Sequence, residues 1–146
     1  MIPAMTPETW ARLVPELLCS DVARSIAFYR DVLGFRVLFD RPDEGFAYLD
    51  REGAQVMLEQ ESDFWFTGER VRPYGRGVNF QIEVADVDAL YDGVARAGVA
   101  LFRPLEDRWY RQDDRENGNR QFLVQDPDGY LLRFFQDLGS RPLQRP

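Results

Sequence analysis

The 146-residue chain contains no histidine and no lysine, and only one cysteine. Without histidine there is no imidazole metal ligand, and no Ser-His or Cys-His nucleophile pair. Without lysine there is no Schiff-base lysine and no P-loop lysine; all eighteen basic residues are arginines. Cys19 lies in an apolar run and has no second cysteine to pair with, so a buried, inert thiol in a reducing, cytoplasmic compartment is expected. No apolar run approaches the ~18 residues of a membrane span. Met1–Trp10 lacks the basic start and continuous apolar core of a signal peptide. A net charge of −7 argues against a nucleic-acid partner, because phosphate backbones need a basic surface. The same acidity would steer a cationic ligand toward the protein, although moderate acidity also simply keeps a protein soluble.

Apolar residues at 45% and charged residues at 29% describe one globular domain with a real core. Its organisation is visible as an internal repeat. The stretch from Asp21 to Gly34 is echoed from Asp86 to Gly98. Each copy follows an apolar run, opens on an aspartate, carries helical spacing and stops on a glycine. Val22, Ile26, Tyr29 and Leu33 share one helix face, as do Val87, Leu90, Val94 and Ala97. Asp21 and Asp86 suit N-caps, and Gly34 and Gly98 suit the left-handed residue after a helix.

Strands are expected over Arg12–Cys19, Phe35–Arg41, Phe46–Asp50 and Ala54–Gln60 in the first module. In the second they are expected over Gly77–Val84, Val99–Arg103, Arg120–Gln125 and Tyr130–Gln136. Glu61–Arg76 is a connector, and Leu105–Asn119 reads as a long polar loop with the charge run Arg111–Glu116 solvated. Asp126-Pro127-Asp128-Gly129 has the composition of a type I turn followed by a left-handed residue. Ser140–Pro146 reads as a fraying tail.

Asp21-Val22-Ala23-Arg24-Ser25-Ile26-Ala27-Phe28-Tyr29, Val32-Leu33-Gly34-Phe35 and Asp126-Pro127-Asp128-Gly129-Tyr130 resemble the motifs of the vicinal oxygen chelate superfamily. That superfamily includes glyoxalase I, extradiol dioxygenases, and fosfomycin and bleomycin resistance proteins. The resemblance runs from about Leu13 to Gln136. It implies an α+β fold of two tandem βαβββ modules forming a cupped mixed sheet around a cleft. The domain would span 11–137, with module one at 11–60, module two at 77–137 and a tail at 138–146.

In metal-using members of the superfamily, each module contributes one ligand from its first strand and one from its last, usually His or Glu. Aligning the aspartates and glycines carries those positions to Val14, Asn79, Arg133 and a residue near Glu59. Valine cannot bind a metal and a guanidinium opposes one. The resemblance therefore points to the metal-free bleomycin-resistance type, an antibiotic-resistance protein with no cofactor and no catalytic residue. It would sequester a small, cationic or aromatic ligand in a cleft at a homodimer interface.

The ligand-binding residues expected on this view are Glu59, Asn79, Gln81, Arg133, Trp65, Phe66, Trp109 and Tyr110. Arg133 would pair with Glu59 or hold an anionic or carbonyl group. The alternative is a divergent glyoxalase- or dioxygenase-like lyase or isomerase. Such an enzyme would use a carboxylate metal site (Glu16, Glu59, Glu83) or Glu59 as a metal-free base. A third reading is a structural dimer whose own side chains close the cavity.

Overall fold

The computed structural model describes residues 9–144, which divide into two compact units. The first takes the chain up to Arg76 together with Asp126–Tyr130; the second takes Gly77–Gln125 and the chain from Leu131 onward. The expectation for Met1–Trp10 falls almost entirely outside the described residues.

Unit 1 runs β1 (Glu16–Cys19), α1 (Val22–Ala27), β2 (Arg36–Arg41), β3 (Phe46–Arg51) and β4 (Ala54–Gln60). The sheet order is β1-β4-β3-β2, with β1 parallel to β4 and the other pairs antiparallel. The first strand starts four residues later than expected. Pro15 accepts from the Met57 amide at 2.9 Å but has no N–H to give to a ladder. Asp21 caps α1, its carboxylate accepting from the Arg24 amide at 3.2 Å. The helix then widens into a π-helical turn over Phe28–Val32, and Gly34, at φ +77°, leaves it in the left-handed region.

The α1 helix packs on β1 and β4. Cys19, Tyr29, Leu33, Ala47, Leu49 and Leu58 are completely buried in unit 1. Removing each of the larger apolar side chains from water contributes about 1.5–3 kcal/mol. Cys19 is the buried thiol expected, and burial pushes its pKa up to about 12, which leaves it unreactive.

The Asp126–Tyr130 turn is built as its sequence requires. The Gly129 amide donates to Asp126 O at 2.9 Å and the Asp126 amide to Tyr130 O at 2.9 Å. Gly129 sits at φ +97°, and a Cβ there would lie 2.5 Å from Pro73 Cβ. Sequence placed this turn with the second module, whereas it belongs to the first unit. Its side chains explain why: the Tyr29 hydroxyl donates to Asp126 at 2.9 Å, and Asp128 is held by unit 1 from several sides.

Unit 2 repeats the order with β5 (Asn79–Glu83), α2 (Val87–Arg96), β6 (Leu101–Gln112), β7 (Arg115–Gln125) and β8 (Leu131–Pro142). Its sheet order is β5-β8-β7-β6, with β5 parallel to β8. Asp86 caps α2 through the Ala89 amide at 3.0 Å, and α2 buries Val87, Leu90 and Val94. The observed architecture is thus α+β, two βαβββ modules.

The expected loop Leu105–Asn119 is instead the outer part of a β-ribbon. The turn between β6 and β7 is at Asp113-Asp114, with Asp113 at φ +55°. The charges of Arg111–Arg115 are exposed as expected, but they sit on strands and the turn joining them, and charged side chains along the ribbon pair across it. Arg120 bonds Asp107 at 2.8 Å, Arg141 bonds Glu116 at 2.6 Å, and Arg115 bonds Ser140 at 2.9 Å. Opposite charges facing each other across a ladder favour pairing without an apolar face. β8 likewise continues to Pro142 through residues expected to fray, while 145–146 lie outside the described residues. No helix among the described residues is long and apolar enough to cross a membrane.

Candidate functional site

In unit 1 the sheet face away from the buried Leu17 and Cys19 carries Glu16 and Leu18 on β1, because alternate strand residues point to opposite sides. By the same alternation and the β1–β4 register, Met57 and Glu59 share that face. Phe46 and Tyr48 of β3 form a buried cluster with Leu38, against which Val14, Phe39 and Met57 pack. Trp10 sets its ring edge-on to Tyr48, with centroids 5.2 Å apart.

A cavity of about 570 Å³ opens here, lined by Val14, Glu16, Leu18, Met57, Trp65, Phe66, Thr67, Gly75 and Tyr130. Trp65 stands 56% exposed, its ring edge-on to Phe64 at 4.6 Å. Phe66 is braced edge-on by Tyr74 at 5.7 Å and covered by the Arg70 guanidinium at 4.7 Å.

The connector that supplies these aromatics is held by charge. Asp128, completely buried, accepts from the Ser20 amide at 3.1 Å and the Ser20 hydroxyl at 2.5 Å, and pairs with Arg72 at 2.9 Å. Arg72 also donates to Pro127 O at 2.8 Å. A buried carboxylate is tolerated because these donors and the guanidinium replace its hydration. Asp126 has its pKa raised to about 6 by burial, against the donors Tyr29, Asp128 N and Tyr130 N. The Tyr130 hydroxyl donates to Leu18 O at 3.0 Å, which stands the ring up as a cavity wall. Neither Tyr130 nor Glu16 was among the ligand residues expected from sequence, though the motif Asp126–Tyr130 held the signal for the first.

Glu16 is the polar feature of this cavity. Its pKa is pushed up to about 7, first by a hydrogen bond shared with Glu59, then by burial and the Glu59 charge, with Arg41 opposing. Two carboxyls that share a proton are a strong acceptor for a cation once that proton leaves. Glu59 Oε2 is buried without a hydrogen-bond partner.

In unit 2 a second cavity, about 350 Å³, is lined by Asn79, Arg103, Glu106, Arg108, Tyr110, Gln121, Leu123 and Arg133. Arg133 donates to Gln81, while its Nε is buried without a partner. Trp109 and Tyr110 are neighbours on β6 rather than on a loop, so they face opposite ways. Tyr110 enters the cavity. Trp109 lies against Gly118, where a Cβ would come within 2.7 Å of the ring, and under the Arg141 guanidinium at 3.6 Å.

The register also corrects one inherited position. Asn79 lies two residues before Gln81, the partner of Arg133. Val14 lies two residues before Glu16, the partner of Met57. The first module's counterpart of Arg133 is therefore Met57, not Glu59, which lies two residues further along the same face. Valine, methionine, asparagine and arginine do not make a divalent-metal donor set. Among the described residues no three His, Cys, Asp or Glu side chains gather to hold a metal ion.

Two βαβββ modules with this pattern define a class of fold, and the comparisons give the family. Residues 11–134 match the model of the Glyoxalase/Bleomycin resistance protein/Dioxygenase superfamily. The chain is 31% identical over 137 residues to the bleomycin resistance protein of Geobacillus stearothermophilus, covering 87% of this chain and 97% of that one. It is 29% identical over 115 residues to the metallothiol transferase FosB of Lysinibacillus sphaericus, covering 79% of this chain and 74% of that one. The crystal structure of TioX from Micromonospora sp. ML1 matches with a TM-score of 0.68 at 28% identity, over 88% of this chain and all of that one. The chain belongs to the glyoxalase/bleomycin resistance protein/dioxygenase superfamily.

Proposed function

We propose that this protein binds a small cationic aromatic molecule and sequesters it without altering it, in the manner the name of its bleomycin resistance relative implies. The observation that carries this reading is the unit 1 cavity, in which Trp65, Phe66 and Tyr130 line the walls together with Glu16, whose carboxyl is hydrogen-bonded to Glu59. A planar cation stacks on such rings, gaining both dispersion and cation–π attraction, and its charge is met by the carboxyls. At −7 the whole chain adds a favourable field. In unit 2, Asn79, Arg133 and Tyr110 line a cavity of their own and, with Gln81 bonded to Arg133, are proposed as further ligand-binding residues; Trp109, turned away under Arg141, is not. The working form is a cytoplasmic homodimer, whose two-fold interface covers apolar side chains such as Phe64, Trp65 and Leu13 that each chain exposes.

A second reading has its own support. A carboxyl with pKa about 7 beside another in an aromatic cavity suits a general base at neutral pH. FosB shows that relatives include transferases.

Native mass spectrometry of the full chain mixed with bleomycin tests both readings. Sequestration predicts a dimer carrying one ligand per chain, with the ligand mass unchanged on release. A ligand of altered mass would replace sequestration with catalysis, and no complex at all would remove this ligand class.

A further inference from the structure

The unit 2 cavity differs chemically from the acidic, aromatic one in unit 1. Two of its lining side chains carry buried polar atoms without partners, and they are of opposite kind. Gln121 is only 4% exposed; its Nε2 donates to the Tyr110 hydroxyl at 2.8 Å, and its Oε1 has no donor. Arg133 gives one terminal nitrogen to Gln81, and its buried Nε–H has no acceptor. Buried polar atoms of this kind each cost free energy until something pairs with them.

Gln121 is on β7 and Arg133 on β8. Leu123 lies opposite Arg133 and Gln121 opposite Phe135, so the two side chains are diagonal neighbours on one sheet face. Such positions lie about 7–8 Å apart, within reach of one small group between them.

We infer that this cavity is a binding site for a carboxamide group, its carbonyl accepting from Arg133 Nε and its NH₂ donating to Gln121 Oε1. The inference rests on reading Arg133 and Tyr110 as ligand contacts. A carboxylate has acceptors only and would set an oxygen against Gln121 Oε1. An ammonium has donors only and would meet the Arg133 guanidinium. A carboxamide satisfies both atoms at once.

Three fragments built on one ring test this: benzamide, benzoate and benzylammonium, each titrated into the ¹⁵N-labelled full chain. The readout is the NMR signals of the Arg133 Nε–H and the Gln121 side-chain amide, assigned with Arg133→Met and Gln121→Leu. Benzamide is expected to move both signals and to bind at least about ten-fold tighter than either charged fragment. Each substitution should weaken benzamide by about ten-fold. The ranking is measured on the unaltered protein, so it stands even if a variant folds poorly. Benzoate binding tighter than benzamide would overturn the inference, because it would mean that Gln121 presents its NH₂ to the cavity. No benzamide response at either signal would also overturn it. These signals report unit 2 alone: benzamide binding without bleomycin binding would sink the proposed function and leave this site standing, and the converse would do the reverse.

Discussion

The first unit places Val14, Glu16, Leu18 and Met57 where the second, by strand register, has Asn79, Gln81, Glu83 and Arg133. One topology therefore presents two chemistries. In unit 1 the face is apolar and aromatic around an acid pair; in unit 2 it is amide and guanidinium. A duplicated fold fixes where side chains project and leaves their character free. Here the divergence leaves two differently charged pockets.

The largest effect is expected from the turn that unit 1 borrows from late in the sequence. Gly129→Ala combines a left-handed φ with a Cβ driven into Pro73, and should cost about 3 kcal/mol or more by urea unfolding. Amide exchange should speed up in β1 before it does in β7. Equal loss in both would mean that the units do not differ in what supports them.

Trp65→Ala should weaken bleomycin binding about five- to ten-fold by calorimetry, the scale of one lost aromatic stack. An unchanged affinity would move the ligand out of unit 1.

Glu16 ties the difference between the units to pH. Its folded pKa, about 7, is above its ordinary 4.5, so the folded state holds more protons between those values. Stability therefore falls as pH rises from about 4.5 through 7. Asp126, raised to about 6 by burial, adds a fall of the same sign. Glu16→Gln should flatten its share of that slope. The share is about 1 kcal/mol or less, since the side chain is solvent-accessible and screened. A steeper slope in the variant would contradict the assignment.

The smallest effect belongs to the ribbon of unit 2. Arg141→Met removes the guanidinium over Trp109 and should lower stability by about 0.5–1 kcal/mol, with no change in bleomycin affinity.

Much of this was legible in the sequence, and for identifiable reasons. Asp21 and Asp86 announced two helix starts, and Asp126–Gly129 a turn, because caps and turns are local chemistry. The ribbon Leu105–Asn119 was hidden because both of its faces are polar, so it lacks the period-two apolar signal of a half-buried strand. Trp109 and Tyr110 looked like one aromatic patch until strand alternation separated them. Met57 emerged as the counterpart of Arg133 only once parallel register was known. Asp128 gave no sign of burial, since its partners Ser20 and Arg72 are distant in sequence.

The central claim is that the acid pair of unit 1 receives the ligand's positive charge. Calorimetric titration with benzyltrimethylammonium, an aromatic cation whose charge does not vary with pH, tests it most directly. Between pH 6 and pH 8 the affinity should rise by up to about ten-fold, as Glu16 loses the proton it shares with Glu59. In Glu16→Gln that rise should vanish. Binding that ignores pH in the unaltered protein, or that rises equally in the variant, would contradict the account.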